Sequence, residues 1–131
     1  MFVDASALTA MLTDESDARV LLARLQNYGE RTTSPMAVWE TTIAVARILG
    51  LSLGAAEAAI EDYLKLMEIS VVAVAAETRS LAIDAYVRYG KSRHPAALNF
   101  GDCFAYACAR HAGVPLLYKG DDFARTDIAA A

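Results

Sequence analysis

Short runs of apolar or β-branched residues alternate along the chain with longer segments in which apolar residues recur every three or four positions. The short runs are typical of β-strands and fall at residues 2–3, 31–33, 69–74 and 114–118. The spacing between them is that of amphipathic helices. Strands that alternate with helices in this way predict a short, mostly parallel central sheet with helices on both faces, a three-layer α/β/α fold.

Capping signals mark the ends of the predicted helices. Ser34 before Pro35, Ser52 and Asn99 are good N-cap residues at helix starts. Glycines just past the helical stripes are expected to adopt the left-handed conformation that ends a helix: Gly29, Gly50, Gly90 and Gly113. The apolar stripes of the six predicted helices cover residues 7–12, 18–25, 38–49, 56–67, 78–89 and 102–109.

Two other segments carry expectations of their own. Residues 69–74 are nearly all apolar, which predicts a strand that is covered on both faces. The residues after Asp127 show no pattern, and no regular element is predicted there.

The composition is that of an ordered globular protein. The chain has 131 residues, of which 56% are hydrophobic and 21% are charged, and this balance excludes an intrinsically disordered chain. Residues 1–131 are predicted to form a single domain, because a chain of this length can bury one substantial core. The net charge of −4 and the pI of about 5.1 exclude nucleic-acid binding by bulk positive charge, but they permit an acidic site that metal ions neutralise.

Cysteine and histidine usage argues against disulfide and zinc sites. Cys103 and Cys108 lie five positions apart in one predicted helix, where their side chains diverge. His94 and His111 stand alone, without the neighbouring ligands of a zinc site. Two unpaired cysteines fit a reducing compartment.

No signal sequence is visible, nor an apolar run of the roughly 18 residues that a membrane span needs. The sequence therefore predicts a cytoplasmic protein outside the membrane.

Several acidic residues are expected at one edge of the sheet. Asp4 ends the first strand, and Glu40 lies near the start of the helix after the second strand. Asp102 lies in the first turn of the helix before the last strand, and Asp121 and Asp122 follow that strand. Parallel strands end, and the helices after them begin, at the same edge of a sheet. These carboxylates are therefore predicted to converge.

Each of these acids also has a purely structural explanation, as a cap, a turn residue or a solvated helix residue. Asp102 can complete the cap begun by Asn99, and residues 121–122 fit an ordinary turn. Taken together, however, the acids need something to neutralise them, because like charges at one edge repel. Glu77 also follows a strand but fits an ordinary first-turn acid. The other acids, Glu15 among them, fit solvated helix faces or first turns.

The chemistry of the converging residues favours a metal site. Carboxylates without histidine or cysteine select a hard divalent cation, Mg²⁺ or Mn²⁺, over zinc. Such a cation holds phosphate oxygens and lowers the pKa of a bound water, which produces a hydroxide nucleophile. No Ser/His/Asp or Cys/His arrangement with supporting spacing is present, and no phosphate loop of the GxxxxGK type.

Four segments together resemble a known family. They are residues 2–6 with the sequence FVDAS, the pair Trp39-Glu40, residues 93–107 with RHPAALNFGDCFAYA, and residues 116–123 with LLYKGDDF. They resemble PIN-domain proteins, and among these the VapC toxins of bacterial toxin–antitoxin pairs. The resemblance implies a PIN-like domain that is a Mg²⁺-dependent endoribonuclease and is neutralised by a cognate VapB-type antitoxin. It also implies a homodimer or a toxin–antitoxin hetero-oligomer.

The resemblance also implies which residues form the active site. The acids that match the family pattern are Asp4, Glu40, Asp102 and Asp121. The implied metal ligands are Asp4, Asp102 and Asp121, with the glutamate as a further ligand or as the group that orients the attacking water. Asp122 competes with Asp121 for the last position, because it precedes Phe123 as the Asp-Phe pair of the family does.

Other polar residues are candidates for supporting roles. Ser6 resembles the small hydroxyl residue that often supports the first acid of the family. Lys119, Arg93 and Arg47 are candidates for steering phosphates, although each also fits an ordinary surface charge.

Two further classes of function fit parts of this pattern. A receiver-like phosphoacceptor domain also gathers aspartates at strand ends, with a lysine after a late strand. It needs an acidic pair after the first strand, and Asp4 has no acidic neighbour. A catalytically silent PIN-like binding module would keep the fold but lose the acids, which are intact in this chain.

The apolar residues of the first two predicted helices indicate a binding partner. These helices offer more apolar surface than one small sheet face is expected to cover, through Leu8, Met11, Leu12, Val20 and Leu21. We therefore expect a second copy of the chain or a partner protein to bury part of this surface.

Overall fold

The computed structural model describes residues 1–131, which form four β-strands, six α-helices and one turn of 3-10 helix. In chain order the elements are β1 (Phe2–Val3), α1 (Ala5–Leu12), α2 (Ala18–Gln26), β2 (Arg31–Thr33), α3 (Pro35–Leu49), α4 (Leu53–Leu66), β3 (Ile69–Val71), α5 (Thr78–Tyr89), α6 (Phe100–Ala112), β4 (Leu116–Leu117) and the 3-10 turn (Phe123–Arg125). No single helix is long and apolar enough to cross a membrane. Helices α3 and α4 reach that length and composition only when taken together, across a bend of 118°.

The four strands form one parallel sheet in the order β3-β2-β1-β4. Phe2 of β1 pairs with Thr32 of β2 on one side and with Leu116 of β4 on the other. Helices cover both faces, so the predicted three-layer α/β/α fold is confirmed. Because β1 is a central strand, its carboxyl end lies in the middle of the sheet edge.

Two apolar clusters, one on each face of the sheet, hold the layers together. Phe2 and Leu116 belong to the cluster with α5 and α6, whereas Val3 and Leu117 belong to the cluster with α1, α2, α3 and α4. All four are at most 1% exposed. Neighbouring strand residues point to opposite faces, so a slip of one residue would place both pairs on the wrong face. This packing fixes the residue at which β1 leaves the sheet.

Most of the predicted caps are confirmed. The Ser34 hydroxyl accepts a hydrogen bond from the backbone N–H of Ala37, and Gly50 ends the same helix with φ of 65°. Gly113 ends α6 in the same left-handed conformation, with φ of 66°. The two cysteines are free thiols, as the sequence predicted.

The third strand differs from its prediction. It covers Ile69–Val71 instead of residues 69–74, and only Ile69 is buried. The strand is the edge of the sheet, so Val71 and Val72 remain exposed. The apolar run was interpreted as a strand covered on both faces, but the sequence of one strand does not reveal its place in the sheet.

Two of the four predicted left-handed glycines were wrong. Gly29 has no positive φ, and Gly90 has an extended backbone with φ of −66°. Gly90 instead meets Leu98 in a parallel bridge, and a Cβ there would overlap the carbonyl oxygen of Tyr86. Lack of space, and not a left-handed turn, accounts for a glycine at position 90.

The end of the chain is more ordered than predicted. The backbone N–H of Leu116 donates to Ala129 O at 2.8 Å, and that of Ala131 donates to Leu116 O at 3.0 Å. Asp127 accepts hydrogen bonds from the Tyr106 hydroxyl at 2.6 Å and from Arg88 at 2.9 Å. The residues after Asp127 therefore extend the sheet beside β4.

The reason given for a partner surface on the first helices was also wrong. Leu8, Met11 and Leu21 are buried in the core and Leu12 is partly buried, so only Val20 is exposed. The sheet face covers more of these helices than their apolar content suggested, because α3 and α4 pack on the same face.

Candidate active site

Asp4 follows β1 and caps the helix that comes next. Its carboxylate accepts hydrogen bonds from the backbone N–H of Ser6 at 2.9 Å and from the Ser6 hydroxyl at 2.5 Å. The residue is only 3% exposed. Burial raises the pKa of Asp4, and the hydrogen bonds from Ser6 oppose that rise. The fold thus holds a nearly buried carboxyl group at the centre of the sheet edge.

Glu40 lies in the second turn of α3 and is half-buried. Its carboxyl group rests on the backbone of Gly101 in α6, where a Cβ would overlap Oε1 and lie 2.7 Å from Cδ. Burial raises the pKa of Glu40 to about 7, with smaller contributions from the charges of Asp4 and Asp102. Asp4, Glu40 and Asp102 line the same cleft and are therefore close neighbours.

Asp102 forms a reciprocal cap with Asn99 at the start of α6. The Asn99 side chain accepts from the Asp102 N–H at 2.9 Å, and the Asn99 N–H donates to Asp102 Oδ2 at 2.8 Å. Burial raises the pKa of Asp102 to about 6, although the Asn99 hydrogen bond opposes it, and the charges of Asp4 and Asp122 add to the rise. Asp102 therefore completes the cap and belongs to the acidic cluster.

These three acids line one cleft of about 350 Å³. The other polar residues that line it are Ser6, Thr9, Glu15, Asn99 and Lys119. The structure therefore brings together three of the four predicted acids. In the sequence, Asp4 and Glu40 are 36 positions apart, and Glu40 and Asp102 are 62 positions apart.

The fourth predicted acid, Asp121, lies outside this cleft. It is exposed and lines a neighbouring cleft of about 430 Å³ with Arg24 and Tyr118. Lys119 lines both clefts. Asp122 is also exposed, but its charge contributes to the raised pKa of Asp102. Of the two acids in this turn, Asp122 is thus the one with an electrostatic effect on the cluster.

Sequence reasoning missed the position of Glu15. It was assigned to a solvated first turn, but it forms an ion pair with Lys119 across the cleft. The ion pair raises the pKa of Lys119. The two residues are 104 positions apart, and nothing in their local sequence indicates the contact.

Ser6 links the first acid to the last strand. Its hydroxyl donates to Asp4 and also accepts a hydrogen bond from the backbone N–H of Lys119 at 3.0 Å. One side chain thus fixes Asp4 relative to the loop after β4. Of the predicted phosphate-steering residues, Lys119 lines the cleft, whereas Arg47 and Arg93 do not.

The donor set suits a hard cation that keeps some of its water. The cleft offers carboxylate, amide and hydroxyl oxygens, and no histidine or cysteine. No three of the acids present their oxygens around one point as a closed ligand cage. Mg²⁺ does not need such a cage, because it is commonly held by one or two carboxylates together with waters and substrate phosphates. Burial is the main cause of the raised pKa values of Glu40 and Asp102, and repulsion from neighbouring acids adds to it. A bound cation would relieve that repulsion.

Comparison with known proteins agrees with this geometry. The PIN domain family matches residues 1–129. The chain belongs to this family. Relatives of this PIN-domain protein include a ribonuclease VapC of Mycolicibacterium smegmatis, 44% identical over 99% of the chain and 98% of the relative. Ribonuclease VapC30 of Mycobacterium tuberculosis is 42% identical over 98% of the chain and 96% of its own length. A VapC ribonuclease of Rhizobium meliloti is 37% identical, over 97% of the chain and 98% of the relative. The PIN-domain protein is thus of the VapC type.

Structural comparison gives the same fold. The crystal structure of VapC20 of Mycobacterium tuberculosis, described as a Sarcin-Ricin loop cleaving toxin, matches with a TM-score of 0.75 at 22% identity. The match covers 99% of this chain and 97% of VapC20. No observation on this PIN-domain protein favours the receiver-like or silent-module alternatives.

Proposed function

We propose that this PIN-domain protein is a divalent-metal-dependent endoribonuclease that hydrolyses RNA phosphodiester bonds. The observation that carries the proposal is the convergence of Asp4, Glu40 and Asp102 in one cleft. Relatives named ribonuclease VapC, which match nearly the whole chain, support RNA as the substrate.

The acids have distinct environments, and we assign their roles from these. Asp4 is nearly buried and held by Ser6, so it would be a well-positioned ligand for the cation. Asp102 is held by the Asn99 cap and is the second ligand. When bound, a cation of the Mg²⁺ or Mn²⁺ class supplies positive charge to the scissile phosphate and lowers the pKa of water. Because hydrogen bonds hold both carboxylates, Asp4 and Asp102 would keep a bound cation in one place relative to the RNA.

Glu40 is suited to handle a proton. Its pKa of about 7 lets it exchange a proton near neutral pH. In the proposed reaction it orients a water molecule and accepts its proton as the water attacks phosphorus. The bond from phosphorus to the ribose oxygen of the leaving strand breaks, that oxygen takes a proton from solvent, and Glu40 returns its proton to solvent. Gly101 keeps the Glu40 carboxyl group in position for this transfer.

Two neighbouring residues, Asp121 and Asp122, are candidates for the fourth acid. Asp121 fits the family pattern, and Asp122 acts electrostatically on Asp102. A third carboxylate at the cleft would add a ligand, or a hydrogen-bond acceptor for cation-bound water.

The proposed partners follow from the type of protein. VapC-type toxins are paired with VapB antitoxins, and we propose a cognate VapB-type antitoxin that neutralises this chain in the cytoplasm. We also propose a homodimer or a toxin–antitoxin hetero-oligomer as the assembled state. Co-expression with the product of a neighbouring antitoxin gene, followed by light scattering, tests both statements. A strict monomer that forms no complex would contradict them.

The proposed activity is tested by RNA cleavage with and without metal. Wild type should cleave RNA in Mg²⁺ or Mn²⁺ and lose activity in EDTA. Asp4→Asn should reduce cleavage by at least about a hundredfold, the scale for loss of a principal catalytic group. Asp62→Asn on the exposed face of α4 is the matched control and should retain full activity. Cleavage that is equal in EDTA would rule out the metal-dependent mechanism.

A further inference from the structure

Two large aromatic side chains lie exposed beside the acidic cleft. Trp39 is 65% exposed and Phe100 is 71% exposed. Trp39 precedes Glu40 in α3, and Phe100 precedes Gly101 in α6, and the contact between Glu40 and Gly101 brings these two helix segments together. The aromatic pair therefore has a fixed position relative to the acids.

The two rings form the walls of an apolar pocket of about 260 Å³. Pro35, Met36 and Glu40 complete it. Glu40 lines both this pocket and the acidic cleft, so the two adjoin at that residue. A ligand bound at the acids therefore has an apolar surface within reach on one side.

The charges around the acids offer little electrostatic attraction for RNA. Lys119 is the only cationic side chain that lines the acidic cleft, and it already forms an ion pair with Glu15. The net charge of the chain is −4. Contacts between basic residues and phosphates normally supply most sequence-independent affinity for nucleic acid. Such contacts are scarce in the cleft, so contacts with the bases would add affinity that basic side chains do not supply there.

We propose that a nucleobase next to the scissile phosphate stacks on Trp39 and Phe100 in this pocket. The inference deepens the proposed ribonuclease function and rests on it. Base–aromatic stacking tolerates any base, because every base has a π face, and it needs the base to be unpaired. The pocket would therefore select single-stranded RNA or a loop, and would place its backbone across Glu40.

A protein surface is the competing occupant of these aromatics. Phe100 also borders an apolar groove with Ile83 and Tyr86, and its ring centroid lies 5.0 Å from that of Phe104. RNA is favoured for the pocket itself because Glu40 lines both the pocket and the acidic cleft, so the pocket adjoins the place where the scissile phosphate would bind. None of the clustered acids lines the groove with Ile83 and Tyr86.

The chain provides its own probe, since Trp39 is its single tryptophan. Asp102→Asn protein in Mg²⁺ is titrated with an unstructured, end-labelled oligoribonucleotide. Label anisotropy measures binding, and tryptophan emission measures stacking. We expect emission to be quenched in parallel with binding. A matched oligonucleotide with abasic positions should bind more weakly and should not quench. Saturated binding without a change in emission would overturn the proposal.

Steady-state kinetics provide the second test. Phe100→Leu keeps an apolar side chain but removes the aromatic ring, and it should raise KM for RNA at least about fivefold, with kcat changed less than about twofold. Leu66→Ala is the control, since Leu66 is 77% exposed at the end of α4 and lines neither the acidic cleft nor the pocket with Trp39 and Phe100. Unchanged KM in Phe100→Leu would contradict stacking.

Two further outcomes separate the alternatives. Emission that changes with protein concentration in the absence of RNA, together with a doubled mass that Phe100→Leu abolishes, would assign the surface to a protein interface and overturn the proposal. Wild type that cleaves no RNA, but whose Trp39 emission is quenched by the base-bearing oligonucleotide and not by the abasic one, would refute the ribonuclease function. That result would leave the stacking pocket supported as a binding site.

Discussion

The carboxyl group of Glu40 lies directly against the Cα of Gly101. A Cβ at position 101 would lie 2.7 Å from Glu40 Cδ and Oε2, closer than real Cβ contacts occur. The glycine has an ordinary helical backbone, so no turn requires it. Its role is to leave room for the carboxyl group. A glycine in one helix thereby sets the position of an acid in another.

Gly101→Ala should separate stability from activity. Alanine favours a helix over glycine by up to about 1 kcal/mol, so the melting temperature should hold or rise once Glu40 moves aside. Cleavage of RNA should fall at least about tenfold, because the acid no longer lies where it meets the substrate. Gly54→Ala is the control at the same second position of α4, where a Cβ meets nothing within 4 Å. Equal activity in both variants would contradict the positioning role.

Asp102→Asn should preserve the fold and abolish most activity. The asparagine oxygen can still accept from the Asn99 N–H, so the cap of α6 survives. The variant removes one charge from the cluster, and we expect cleavage to fall at least about a hundredfold. Without metal its melting temperature should hold or rise, because fewer like charges repel. Mg²⁺ should stabilise wild type more than the variant in thermal melts. Full Mg²⁺-dependent activity in the variant would mean that Asp102 is only a cap.

Stability without metal should fall as pH rises from 5 to 8. The pKa values of Glu40 and Asp102 are raised to about 7 and about 6. The folded state therefore binds more protons than the unfolded state in this range, and the free energy of unfolding decreases with pH. Asp127, whose pKa is lowered to about 2, loses its contribution only under more acidic conditions. Thermal melts in EDTA test the slope, which Mg²⁺ should flatten. A melting temperature that rises across this range in EDTA would contradict the acidic cluster.

Ser6→Ala should reduce both stability and activity. The substitution removes the hydroxyl that donates to Asp4 and leaves the Lys119 N–H without its acceptor. A fully buried unsatisfied group costs about 1–3 kcal/mol. The contact between Ser6 and Lys119 is only partly buried, so the loss should lie at the low end of that range, which denaturant unfolding can measure. Ser6→Thr keeps the hydroxyl and is the control. If both variants behave alike, the hydroxyl does not support the site.

A pair of variants decides the fourth acid. Asp122→Asn should weaken Mg²⁺ activation more than Asp121→Asn, because only Asp122 contributes to the raised pKa of Asp102. The metal concentration at half-maximal activity is the quantity to compare. If Asp121→Asn weakens Mg²⁺ activation more than Asp122→Asn, the fourth acid is Asp121, which lines the neighbouring cleft.

Local sequence was sufficient for features that depend on near neighbours. Ser34 and Gly50 mark both ends of α3, and Asn99 and Gly113 mark those of α6, because caps involve contacts within a few residues. The convergence of Asp4, Glu40 and Asp102 followed from one topological rule, that parallel strands end at the same edge. The caps and the convergence of the acids could both be predicted from the order of residues and elements along the chain.

Features that depend on distant contacts were not predictable. The Glu15–Lys119 ion pair and the space at Gly101 need atomic positions from elements far apart in sequence. The exposure of Val71 needs the strand order. Asp121 lines the neighbouring cleft, whereas Asp122 acts on Asp102. The difference depends on the conformation of the turn after β4, which the sequence does not give. Sequence therefore predicted that three of the acids converge, but not the groups that arrange them.

The pairing of the last residues with β4 limits how the sheet can grow. Because Ala129 and Ala131 already bond to Leu116, the backbone of Leu116 is not available to another strand. The last residues pair with β4 through a single bridge, so they move the edge of the sheet outward by one very short segment. The opposite edge, β3, is only three residues long. Both margins of the sheet therefore offer few backbone donors and acceptors to a strand of another molecule, which disfavours association by β-pairing.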